Sequence, residues 1–312
     1  MAATLCLRKL KENAILVQFQ GNLTLIACVL NLTFSIIATI GNLLVIRALW
    51  KASTIPVNVK KLFLNLAVSD LAVGLIAQLM FGVIMAIMLD LSTSGSNSFE
   101  FLCPTILSVS YFFIFLLTCA SFLTVTIIAV DRVLAIFLHL RYQELVTSRC
   151  IAVLLVLLWM SSFLAAFVYI YFPNQNNIVV VTVEFIGLLV TTTGYVRIYK
   201  VVKYHRNQIQ IQTLAQQQNN QENLVLRQRK STISAMFVHI FFLMCFFPNL
   251  CCIILLRASG FRLSFLAVNH VSGFLVLLNS SLNPVVYCWR YREIREIVKS
   301  SLKKGIAWLN PL

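Results

Sequence analysis

Apolar residues in this chain gather into long, nearly uninterrupted runs separated by short polar, charged segments. Seven such runs stand out, over residues 23–49, 57–88, 103–137, 150–171, 178–204, 231–256 and 264–288. A bilayer core of ~30 Å is crossed by ~20 apolar residues in helical conformation, and each run is long enough for that. The pattern predicts an all-α membrane protein, a seven-transmembrane helix bundle. Residues 1–22 precede it and residues 289–312 follow. The stretch from Arg290 to Lys304 is basic and amphipathic, with Ile294, Ile297, Val298 and Leu302 on one face. It is expected to form a short helix lying on the membrane surface.

Composition agrees: 60% of the 312 residues are hydrophobic and 11% are charged, against about 25% charged in soluble domains. Seven spans with short loops account for the whole length, so no separate soluble domain is expected. The net charge of +15 raises the question of nucleic acid, but the charges fall on alternate sides of the apolar runs. Twenty of the 25 Lys and Arg lie in or beside the first, third and fifth gaps and after the last run, and five lie elsewhere: Arg8, Lys9, Lys11, Arg257 and Arg262. Basic residues mark cytoplasmic loops, which predicts an extracellular N-terminus and a cytoplasmic C-terminus. Nucleic acid is excluded as a partner, and membrane lipids are expected, because the basic residues after Arg290 attract the anionic inner leaflet.

The nine cysteines show no metal-ligand spacing, and most lie inside apolar runs, where Cys acts as a small hydrophobe. Residues Met1 to Asn13 lack the core and cleavage site of a signal peptide, so the first span is expected to act as the targeting signal. The gap from Asn207 to Leu226 is rich in Gln and Asn and is read as solvated, extending the helices beside it. No internal repeat is visible.

Polar residues inside a span are costly and mark function. Span one carries Asn42 beside Gly41. Span two carries Asp70. Span three carries Ser121 and ends in Asp131-Arg132-Val133. Span four has Trp159 and span five Tyr195. Span six has Phe242 and Cys245-Phe246-Phe247-Pro248. Span seven has Asn279 and Asn283-Pro284-Val285-Val286-Tyr287. Taken singly, these read as packing residues, helix kinks or solvated pairs. Taken together, one set per span, the residues from Gly41 to about Ile297 resemble the rhodopsin-like (class A) G-protein-coupled receptors. The Tyr195-to-Tyr199 stretch is similar to that of the melanocortin and adenosine group.

Asp70 sits near mid-span with no Lys or Arg at similar depth. An unpaired buried carboxylate costs several kcal/mol or takes up a proton, so Asp70 needs a cation or polar neighbours. Ser121, Asn279 and Asn283 offer them, and the cluster with Asn42 resembles the family's sodium pocket. A water-filled polar cluster is the alternative. Beyond that allosteric sodium ion on Asp70, no cofactor is expected.

The resemblance implies a switch in which span six swings outward on the lever of Phe242, Phe246 and Pro248. Tyr195 and Tyr287 then turn toward Arg132, freed from Asp131, and Asn283-Pro284 belongs to the same machinery. Its partners would be a heterotrimeric G protein, arrestin and an extracellular ligand, at the plasma membrane. Four departures stand out: Val133 replaces an aromatic residue, Phe246 replaces Trp, Gly187 stands where a kinking Pro is usual, and Gln228-Arg229-Lys230 offer no acidic latch for Arg132. The missing latch predicts raised basal activity. The family also ties the top of span three to the second outer loop by a disulfide. Cys103 has no partner between Ile151 and Met244, so the staple is absent or Cys103 pairs with Cys6 or another outer thiol.

An amine receptor of this family carries an Asp where this chain has Ile114, and an opsin carries a Lys where it has Leu277. Amine ligands of that kind and retinal are therefore not expected. The pocket candidates are Tyr111, Phe115, Thr118, Glu184, Asn249, Cys252, Asn269 and His270. Glu184 is either a ligand anchor or a protonated side chain bonded to Thr182 or to a Ser or Thr of a neighbouring span, and His270 reads first as a solvated His at a loop edge. Asn22-Leu23-Thr24 is a glycosylation sequon, and Asn31-Leu32-Thr33 matches within the span, where modification is not expected. An enzyme is not expected, because no nucleophile–base set, metal-ligand pair or phosphate loop is present. A transporter, or a receptor-like protein with little or no G-protein coupling, are the rival readings.

Overall fold

The computed structural model describes residues 2–94, 105–138, 141–172, 176–216, 239–258 and 263–309, and among them every regular element is helical. In chain order these are α1 (Ala2–Lys51), α2 (Val57–Ala72), a π-helical segment (Val73–Gln78), α3 (Leu79–Ser94), α4 (Thr105–Leu138), the single turn α5 (Tyr142–Leu145), α6 (Ser148–Tyr171), α7 (Asn176–Gln216), α8 (His239–Ala258), α9 (Leu263–Arg290) and α10 (Arg292–Leu309). Seven of the stretches are long and apolar enough to cross a membrane, α2, the π segment and α3 forming one of them. The protein is a multi-pass membrane protein built as a seven-helix bundle with a further helix at its C-terminal end.

Several helices outrun the apolar runs that predict them. α1 begins at Ala2, with non-helical backbone at Gln20 (φ −140°, ψ 46°), and its span-like part begins at Val17. Asn22 thus lies in a helix rather than in a loop ahead of it; it is exposed, while Thr24 of the same sequon is buried and donates to the Gln20 carbonyl at 3.2 Å. α7 continues to Gln216, through the first half of the Gln/Asn-rich gap. The π segment is unannounced in the sequence, since Val73–Gln78 holds no Pro and its one glycine, Gly74, is tolerated within a helix. Gln228, Arg229, Lys230 and Cys103, together with the side chain of Cys6, fall outside the described residues.

Burial follows from the solvent. Ile36, Val156, Phe185 and Met244 are more than half exposed on the outer surface of the bundle. In water so continuous an apolar surface would drive aggregation, whereas in hydrocarbon it is the required coat. The interior holds the polar residues instead. Asn42, Asp70, Gln78 and Thr124 have no exposed surface at all. Each is tied by hydrogen bonds between helices, as buried polar groups must be.

Two contacts show how the helices come so close. A side chain at Gly41 would meet the ring of Pro284 at 2.9 Å, so the glycine lets α1 lie directly on α9. Beside it Asn42 donates to the carbonyls of Ala38 (2.8 Å) and Ser280 (3.1 Å), and Ser281 donates to Phe34 O at 3.0 Å. Trp159 of α6 donates its indole N–H to Asn65 Oδ1 (3.0 Å), and Asn65 donates to Thr124 Oγ1 (2.9 Å), linking α6, α2 and α4. α4 is the central element, packed against α6, α7 and α2.

Candidate functional site

Four layers of candidate functional side chains follow one another along the bundle. The first lies at the end where Lys60, Lys61, Arg132 and α10 gather. Asp131 is buried on α4 and forms an ion pair with Arg132, which remains partly exposed. The hydroxyl of Tyr142, on the α5 turn, donates to the other carboxylate oxygen of Asp131. Burial, then the neighbouring carboxylate, pushes the Tyr142 phenol up to about 12, so it remains a donor at neutral pH. Tyr195 does not reach for Arg132: its ring is stacked on His239 of α8, centroids 4.7 Å apart. Tyr287 is buried against Phe63 (5.1 Å), and its hydroxyl has no hydrogen-bond partner among the described residues.

The same end carries an exposed clamp. Glu293, in the first turn of α10, accepts hydrogen bonds from the backbone N–H groups of Ser53 (2.8 Å) and Thr54 (3.2 Å) and from both their hydroxyls. These bonds hold its carboxyl down at about 2. On the opposite face of α10, Ile294 and Val298 are buried in the core, so α10 docks on the turn between α1 and α2 by a polar and an apolar face together.

The second layer surrounds Asp70. Ser121 Oγ donates to one carboxylate oxygen and Asn283 Nδ2 to the other, each at 2.6 Å. Ser280 is a further polar neighbour of the carboxyl. Asn279, expected in this set, is buried but is not among Asp70's partners, and Asn42 turns to the α9 backbone instead. A fully buried carboxyl ringed by hydroxyl and amide groups, with no Lys or Arg among its described partners, would fit a small hard cation such as sodium.

The third layer is aromatic. Phe122 of α4 lies 5.2 Å from Phe242 and 4.7 Å from Phe246, both on α8. All three are buried. Gly187 belongs here too, because a side chain at that position would overlap the Phe122 ring. That contact is the physical reason this chain has a residue without a Cβ at that level of α7. Pro248, half-buried two residues beyond Phe246, has no N–H to return to the preceding turn.

The fourth layer is a cavity of about 390 Å³ at the far end, within the size range of small-molecule sites. Tyr111, Phe115, Thr118, Glu184, Asn249, Asn269 and His270 all line it, as do Ile114 and Leu277, and its floor is made by Phe122 and Phe246. Cys252 is buried elsewhere, donating to Phe265 O at 3.2 Å. Glu184 bonds neither Thr182 nor a Ser or Thr of a neighbouring span among the described residues: Asn249 Nδ2 of α8 donates to its Oε1 at 2.8 Å, and Ser272 Oγ of α9 stands 3.2 Å from Asn249 Oδ1.

A family model described as "7 transmembrane receptor (rhodopsin family)" matches residues 41–287, nearly the whole bundle. The chain belongs to the rhodopsin family of receptors. Similar proteins include melanocortin receptor 3 of Homo sapiens, 24% identical over 278 residues, covering 87% of this chain and 83% of that protein. Melanocortin receptor 4 of Danio rerio is 24% identical over 289 residues (88% and 83%). Adenosine receptor A2b of Gallus gallus is 24% identical over 307 residues (86% and 85%). The receptor therefore sits near the melanocortin and adenosine cluster of class A.

Some functional side chains of this receptor escape a reading of sequence motifs. Tyr142, Ser280 and Phe122 lack a distinguishing neighbour in the sequence. His239 is a lone His within an apolar run. Both its ring nitrogens are buried without a hydrogen-bond partner among the described residues.

Proposed function

We propose that this receptor lies in the plasma membrane with its N-terminus outside, takes an extracellular ligand into the α4–α7–α8–α9 cavity and activates a heterotrimeric G protein when α8 swings outward. The observation that carries this reading is the continuity of the layers. Phe122 and Phe246 are at once the floor of the cavity and the stack that holds Phe242. A ligand pressing on that floor biases the packing of α8 against α4 and α7. The movement would break the Tyr195–His239 stack and free Tyr195 and Tyr287 to meet Arg132. A G-protein segment, and arrestin in its turn, would enter the cleft so opened. Two states separated by a few kcal/mol are all that a ligand needs in order to shift such an equilibrium.

Asp70, with Ser121, Ser280 and Asn283, would hold a sodium ion that favours the resting arrangement. In that state the residues keep α2, α4 and α9 tied together, and loss of the ion would loosen the tie. Asn22 would carry N-linked glycan on the outer side, and α10 would lie against anionic lipid.

The test is G-protein recruitment in cells expressing the full chain, screened with peptides, lipids and nucleosides, with Arg132→Ala as control. Recruitment above that of mock-transfected cells, lost in the Arg132→Ala variant, is the expected result. Silence of the intact receptor, basally and with every ligand class, would support a receptor-like protein without G-protein coupling.

A further inference from the structure

Among its described lining residues the cavity carries charge of one sign: Glu184, 7% exposed, is the acidic group, and no Lys or Arg is among them. One of the Glu184 oxygens is occupied by Asn249. The other, Oε2, is buried and has no hydrogen-bond partner among the described residues, and the same holds for the hydroxyl Oγ1 of Thr118 on α4. Both belong to the wall of the same cavity. An unsatisfied buried polar group costs more than a satisfied one gains, so natural sites leave such atoms open where a ligand fills them.

Asn249 presents its N–H to Glu184 Oε1 and so leaves Oε2 as the atom open to a ligand. A cation placed against that oxygen pairs with the ionised carboxyl, and a charge-assisted hydrogen bond of this kind gains most in a water-poor cavity. The surroundings agree. Phe115 is stacked on Tyr169 (4.6 Å, 6° between planes), and Phe122 and Phe246 close the floor. Aromatic faces of this kind attract cations and repel anions. His270 is the lining side chain able to become positive, and its ring packs toward Phe81, centroids 6.1 Å apart.

We infer that the cavity takes a ligand bearing a cationic nitrogen, an ammonium or guanidinium, which binds Glu184 Oε2 on α7 and Thr118 on α4 and lies among the aromatic rings. The anchor stands on α7, whereas the α4 position expected for an amine anchor is Ile114. This inference rests on the cavity being the receptor's ligand site.

The test uses purified full-length receptor in nanodiscs and follows thermal stabilisation by two matched pairs of probes. 2-Phenylethylamine is compared with 2-phenylethanol, and benzylguanidine with benzylurea. Each pair keeps the shape and changes the charge, and the two pairs separate an ammonium from a guanidinium source. The expected result is that at least one cation stabilises the wild type at about tenfold lower concentration than its neutral partner, and that E184Q abolishes the difference. The carboxamide of that variant retains an oxygen for Asn249, and the wild-type comparison stands alone if the variant does not fold. Thr118→Val should weaken the cation and preserve its advantage over the neutral probe. Equal binding of charged and neutral partners, a charge preference that survives E184Q, or no stabilisation by any probe at millimolar concentration would overturn the inference. G-protein recruitment in the absence of ligand, compared with Arg132→Ala, tests the receptor reading separately. Charge-selective binding without coupling would overturn that reading alone, and coupling without charge-selective binding would overturn only the ligand class.

Discussion

The ring of Phe122 fills the space that a side chain at residue 187 would need. One aromatic ring on α4 therefore fixes how closely α7 approaches, and the same ring carries Phe242 and Phe246 of α8. Gly187→Ala should force the ring aside and disturb the whole stack. Overpacking of this kind costs about 1–3 kcal/mol, which a lowered melting temperature of the purified receptor would register. Gly187→Pro, restoring the residue the family usually carries, meets the same ring and should be destabilised as well. Unchanged melting temperatures in both would show that Phe122 does not set the spacing.

Sodium should stabilise the receptor through Asp70. At tenfold excess over its dissociation constant a single bound ion contributes about 1.4 kcal/mol. Replacing potassium by sodium should raise the melting temperature of the wild type and leave Asp70→Asn unmoved. An equal rise in both would locate the effect away from Asp70.

The Tyr195–His239 stack joins α7 to α8 at the end where α8 is proposed to move. Aromatic pairs contribute about 0.5–1.5 kcal/mol beyond burial. His239→Ala should therefore raise basal G-protein recruitment by roughly two- to tenfold, since only the resting state loses the contact. His239→Phe, which keeps the ring, should stay near wild type. Equal effects of the two variants would count against the stack as a restraint.

The Glu293 clamp has a pH signature. Its carboxyl is held at about 2 against an ordinary 4.5, first by the Thr54 hydroxyl and then by the Ser53 amide. A depressed carboxylate favours the docked form fully above the ordinary value and loses that contribution as pH falls through about 2. Protection of the first turn of α10 against hydrogen exchange, corrected for the intrinsic pH dependence of exchange, should be high at neutral pH and fall below about 4.5. Glu293→Gln should show weaker protection at neutral pH and no such fall. Identical exchange in variant and wild type would mean that Ile294 and Val298 alone secure the helix.

Most of the architecture could be read along the chain because lipid imposes a simple rule: about 20 apolar residues make a span. The helix ends were less legible. α1 begins at Ala2 and α7 reaches Gln216, since polar residues continue a helix as readily as they end a span. The site residues divide in the same way. Tyr111, Phe115, Thr118, Glu184, Asn249, Asn269 and His270 share one cavity wall, because depth along a helix can be counted in residues. Rotation about the helix axis is harder to count. Asp70 is bonded by Ser121 and Asn283 and not by Asn279, and Glu184 finds Asn249 rather than Thr182. Partners supplied from distant segments, such as Tyr142 on Asp131 or Phe122 against Gly187, have no local sequence signal.

The π segment Val73–Gln78 lies between Asp70 and the part of the second span that reaches the cavity at Phe81. A π turn holds one residue more than an α turn, so it displaces everything beyond it by about 100° around the axis. Phe81 faces the cavity through that extra residue. Deleting one residue within 73–78 would restore an unbroken α-helix, leave Asp70 in place and turn Phe81 out of the wall. The second span thus behaves as two helices with separate phases, and a relative that lacks the extra residue would build this side of its ligand site from different positions while keeping the same Asp70 cluster.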